Sequence, residues 1–62
     1  MKRNVFLKHL KENGCTLKRE GSSHSWYVNM LNGNLSSIPR HSDINEITVI
    51  KICKQLRIPV LK

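Results

Sequence analysis

Acidic residues are scarce in this chain: four Asp and Glu stand against eleven Lys and Arg among 62 residues, a formal net charge of +7. A surplus of that size narrows the partners to nucleic acid, an anionic membrane or an acidic protein. Long apolar runs are missing too. None approaches the roughly 20 residues needed to cross a bilayer, and Lys2, Arg3 and Lys8 interrupt the N-terminus before a signal-peptide core can form. The protein is therefore expected to be soluble and cytoplasmic, with no membrane partner. Cysteine is limited to Cys15 and Cys53, 38 residues apart and without a CxxC spacing, so neither a disulfide framework nor a zinc site is indicated. Both are expected as reduced thiols in a small core, with no metal and no small-molecule cofactor. Repeats, linkers and low-complexity segments are absent, and a chain this short buries only roughly 60% of its unfolded surface. One domain over residues 1–62 is expected, without room for a large substrate pocket.

What is present reads as helix, strands, helix. Asn4 is a candidate cap for a first helix over about residues 5–13, with Val5, Phe6, His9, Leu10 and Asn13 along one face and Leu7 off that stripe. Gly14 ends it. His9, on the apolar side, is expected to be a satisfied core histidine. From Cys15 to Ile38 the period shortens to two, which predicts three short strands; Trp26, Val28 and Met30 are assigned to the core side and Tyr27 to the other. Asn45 caps a second helix over about residues 46–57, with Val49, Ile52, Cys53 and Leu56 as its buried stripe and Pro59 beyond its end. Two helices stacked on one face of a three-stranded antiparallel sheet, an α+β sandwich, follow from this order.

Asn32-Gly33 is the strongest hairpin signal, since both central positions of a type I′ turn need positive φ. A two-residue turn there pairs Leu31 with Asn34 and, by subtraction, Met30 with Leu35, Val28 with Ser37, Trp26 with Pro39 and His24 with His41. Directly opposed residues lie roughly 4.5–5.5 Å apart, so this register sets the two imidazoles side by side.

Those histidines belong to two short segments, Gly21-Ser22-Ser23-His24 and, beginning fifteen residues past His24, Pro39-Arg40-His41. Histidine is the side chain that both takes and gives a proton near neutrality. In their order and spacing, together with the terminal run Thr48–Ile58, they make the chain resemble the HicA family of small bacterial and archaeal toxins. The resemblance implies a double-stranded-RNA-binding-domain-like α-β-β-β-α fold. It also implies an mRNA interferase, a metal-independent endoribonuclease held inactive by a HicB-like antitoxin, in which His24 is the catalytic histidine. Members often carry His or Asn at the position of Ser23, or His at that of Ser25; serine at both leaves no second base beside His24.

Cleavage of RNA through its own 2′-OH needs a base, an acid for the leaving oxygen and positive charge near the phosphate. His24 supplies the first or second by the resemblance. His41 is either the complementary acid or a structural hydrogen-bonding residue. Ser22 either orients His24 and touches phosphate or simply forms the turn beside Gly21. Lys18, Arg19 and Arg40 flank the histidine segments and are the candidate RNA-binding cations; Lys2, Arg3, Lys8, Lys11, Lys51 and Lys54 are expected to add affinity and to be individually dispensable. Trp26 is placed in the core rather than on a base, and Tyr27 is the better stacking candidate. The rival function is a non-catalytic double-stranded-RNA-binding-like module, which would grip A-form backbone by shape. A helical DNA-binding domain conflicts with the strand alternation.

Overall fold

The computed structural model describes residues 1–61. Its elements are α1 (Arg3–Glu12), β1 (Cys15–Glu20), β2 (His24–Asn29), β3 (Leu35–Pro39) and α2 (Glu46–Leu56), in the expected α-β-β-β-α order. The sheet is antiparallel with β2 in the centre, and both helices cover one of its faces. Among the described residues no helix is long and apolar enough to cross a membrane.

α1 begins earlier than the sequence suggests. Lys2, not Asn4, stands at its N-cap in extended conformation and makes no side-chain cap. The Arg3 N–H is taken by the Ser42 carbonyl at 2.9 Å, and Lys2 bridges Asp43. A backbone partner distant in sequence thus satisfies a donor that a capping side chain usually serves. Phe6 and Leu10 are fully buried, Val5 is exposed, and Leu7 packs against the core in its place. His9 is half-buried and satisfied: its Nε2 donates to the Pro59 carbonyl at 2.7 Å. Gly14, at φ 81°, takes the left-handed position after the helix.

α2 follows its sequence signals closely. Asn45 Oδ1 accepts from the Ile47 N–H at 2.8 Å, and Val49, Ile52, Cys53 and Leu56 are buried. They join Phe6, Leu10, Cys15, Ile38, Ile44 and Ile58 in one core.

The strands alternate as expected, but with the opposite side inward. Ser25, Asn29 and Ser36 are buried beneath the helices, whereas Trp26 and Val28 are only half-buried and Met30 is exposed. Beside Cys15 and Ile38, the inner face carries polar side chains whose hydrogen bonds end on the helices. Arg3 Nη2 donates to Ser25 Oγ at 2.9 Å, Asn29 Nδ2 to the Leu56 carbonyl at 2.8 Å, and Ser36 Oγ to Gln55 at 2.7 Å. Tyr27 lies on this inner side, against the core, and not outward. Apolar residues at Trp26 and Val28 therefore face away from both helices.

The hairpin register also differs from expectation, by two residues. Val28 pairs with Leu35, Trp26 with Ser37 and His24 with Pro39. A four-residue connection, Met30–Gly33, replaces the two-residue turn: the Asn29 N–H donates to the Asn34 carbonyl, and the Gly33 N–H to that of Asn29. Only Gly33 has positive φ there. The asparagines explain the longer loop. Asn29 and Asn32 both donate to the Leu56 carbonyl and Asn34 to that of Gln55, so the loop docks on the open carbonyls at the end of α2.

Candidate functional site

The turn between β1 and β2 carries His24. Its Gly21 N–H donates to the His24 carbonyl at 2.8 Å. Gly21 is required by that close approach and not by a left-handed φ, since a Cβ there would sit 2.9 Å from the same oxygen. From the other side Arg40 Nη1 donates to the Gly21 carbonyl at 3.0 Å. Behind the turn, on the helix side, Arg3 binds the Pro39 carbonyl through Nε at 2.9 Å and Ser25 through Nη2, while Ser25 donates to the Glu20 carboxylate. Arg3 therefore ties α1 to β2 and β3, and is no dispensable surface cation.

His24 opens β2 with its side chain exposed. Side chains two apart on a strand share a face, so His24, Trp26 and Val28 line the side of the sheet that no helix covers. Gly21, Ser22, Ser23, His24, Trp26 and Ser37 surround a shallow cup of about 200 Å³. This is below the roughly 300–1,000 Å³ of enclosed small-molecule sites, and it suits a group presented by a larger ligand. Of the residues that line the cup, His24 is the only one of a type suited to general acid/base work.

Trp26 is also a wall of a second hollow, about 280 Å³, bordered by Lys18, Arg19 and Leu35. In a regular strand Lys18 and Arg19 would point to opposite faces. The pairing of β1 with β2 slips between Leu17 and Arg19, and this bulge re-aims the chain so that both cations border one hollow. The Arg19 guanidinium carbon lies 6.0 Å from the Trp26 ring centroid, within cation–π range.

The fold thus brings together His24 and Ser22 in one cup, Lys18 and Arg19 in the adjoining hollow, and Arg40 on the turn that bears His24. It does not pair His24 with His41. Pro39 occupies the place across from His24, and His41 lies exposed two residues beyond the end of β3. Trp26 and Ser37 complete the site; the signal for Trp26 was its position two residues after His24, outweighed by the apolar neighbours that suggested a core. Among the described residues no three His, Cys, Asp or Glu side chains converge to hold a metal ion.

A family model described as HicA toxin of bacterial toxin–antitoxin matches residues 4–58, from the first turn of α1 to just beyond α2. The match defines the chain as the toxin member of a toxin–antitoxin pair. The chain belongs to the HicA toxin family. No curated protein and no solved structure gives a significant match.

Proposed function

We propose that this toxin is an endoribonuclease that cleaves mRNA in the cytoplasm with His24 as its general acid/base. The observation that carries the reading is the position of His24: exposed, on the uncovered face of the sheet, beside a hollow bordered by Lys18 and Arg19. His24 takes the proton of a 2′-OH, the 2′-oxygen attacks the adjacent phosphorus, and the bond to the 5′-oxygen breaks. The products are a 2′,3′-cyclic phosphate and a 5′-hydroxyl, whose proton comes from the imidazolium or from water. Lys18 and Arg19 neutralise the charge gathering on the phosphate. Ser22, in the same cup, is within the set of side chains that touch the phosphate, and Arg40 acts as a positioning residue through Gly21. His41, which is not paired with His24, is assigned no role in this step. A HicB-like antitoxin, acidic where it meets this face, neutralises the toxin by covering His24.

The experiment is incubation of a labelled transcript with purified protein in EDTA. His24→Ala, with its circular dichroism unchanged, is expected to cleave roughly 10²–10⁴-fold more slowly, the usual share of a general acid/base. Equal cleavage by the variant would falsify the assignment. A second reading, a non-catalytic RNA-binding module, is favoured by the single titratable side chain in the cup. Binding of the transcript without new ends would establish it.

A further inference from the structure

Trp26 is the largest apolar side chain outside the core, and the fold leaves it without a structural assignment. Both helices pack on the other side of the sheet, where Ser25 and Asn29 are buried. Trp26 instead divides the cup of His24 from the hollow of Lys18, Arg19 and Leu35. Two residues along a strand span roughly 6.5 Å, a step that one nucleotide covers. An aromatic ring, a guanidinium and a leucine around one hollow form a surface on which a flat heterocycle stacks, and the cations beside it meet the flanking phosphates.

We propose that this hollow binds one unpaired RNA base, stacked on Trp26, next to the phosphodiester on which His24 acts. The inference rests on the endoribonuclease reading and specifies its substrate: a single-stranded segment. In a duplex the faces of the bases are already stacked on one another, and proteins reach A-form RNA through 2′-OH and phosphate contacts. A base free to leave its neighbours is what Trp26 and Arg19 can hold. The bulge at Lys18 supports the assignment, because without it Lys18 and Arg19 would lie on opposite faces and only one would border the hollow.

The test uses a single-stranded 2′-O-methyl oligoribonucleotide, which lacks the free nucleophile and is not cleaved, and the same strand annealed to its complement. Trp26 is the chain's one tryptophan, so its emission reports the contact directly. The single strand is expected to quench it and to bind more tightly than the duplex. Trp26→Leu, which keeps apolar bulk, should weaken single-strand binding roughly 10- to 100-fold, and Trp26→Phe should restore most of the affinity. Unquenched emission at saturation, a duplex bound as tightly as the single strand, or wild-type affinity in a folded Trp26→Leu overturns the proposal. Should Trp26→Leu fail to fold, the emission of the wild-type protein still decides. A cleavage assay on unmodified transcript separates the two readings. Intact cleavage with Trp26-independent binding removes the base site alone, whereas Trp26-dependent binding of single strands without cleavage upholds the base site and removes the nuclease.

Discussion

A methyl group added at Gly21 would lie 2.9 Å from the carbonyl oxygen of His24, and the nearest atom is backbone, which cannot rotate aside. Gly21→Ala therefore has to move the first residue of β2, the one that bears the imidazole. Crowding of this kind costs about 1–3 kcal/mol, and misplacing a reacting group by an ångström costs on the order of 10²-fold in rate. The expected result is a lowered urea midpoint together with a cleavage rate reduced well beyond what the lost stability explains, at a temperature where the variant is folded. The glycine was legible in the sequence as a turn residue; its reason was not, because the oxygen it avoids comes into range only once β1 and β2 are paired. Arg3 is a comparable case. A cation near the N-terminus of a basic chain reads as solvated, and only the tertiary structure shows its two hydrogen bonds to Pro39 and Ser25.

At the scale of the element, α2 closes with Arg57 in left-handed conformation, φ 58° and ψ 49°. The Ile58 N–H reaches the Cys53 carbonyl and the Arg57 N–H that of Lys54, the pairing that glycine usually serves. Arg57→Gly removes the steric cost of this conformation, about 1–2 kcal/mol, and adds roughly 0.5–1 kcal/mol of chain entropy. A net gain of up to about 1.5 kcal/mol is expected as a higher urea midpoint, with RNA binding little altered because Arg57 borders neither hollow. The rest of α2 was readable locally: an Asn cap and a stripe at helical spacing need no distant partner. The strands were readable only as an alternation. Which side faces inward depended on Ser25, Asn29 and Ser36 finding partners 19 to 27 residues away, and polar residues in such places carry no local sign of burial. The hairpin register failed for a related reason, since Asn32-Gly33 signals a tight turn while the same asparagines are drawn to the end of α2. His24 was singled out by its motif, independently of register; its pairing with His41 depended on register and fell with it.

Taken as a whole, the molecule has one small core into which both cysteines are packed as free thiols. Burial pushes each above its ordinary value of 9.0, for Cys15 with a further contribution from Cys53, and for Cys53 partly offset by a backbone hydrogen bond at Leu61. In the unfolded chain the thiols lose their protons near the ordinary value, and in the fold they hold them to higher pH. Over that interval the unfolded form binds fewer protons, so stability is full below about pH 9 and declines as the pH rises toward the folded values. Urea titrations across this range should show the decline, and a Cys15→Ala/Cys53→Ala variant, less stable throughout, should show a shallower one. The sheet has two outer strands, β1 and β3, and an outer strand is a template on which another chain can add. Here one edge is broken by the bulge at Lys18 and the other ends in Pro39, which has no N–H to offer. The irregularity that turns Lys18 and Arg19 toward Trp26 thereby also makes β1 a poor seed for fibre growth, which protects a chain with little core to spare from aggregating through its own sheet.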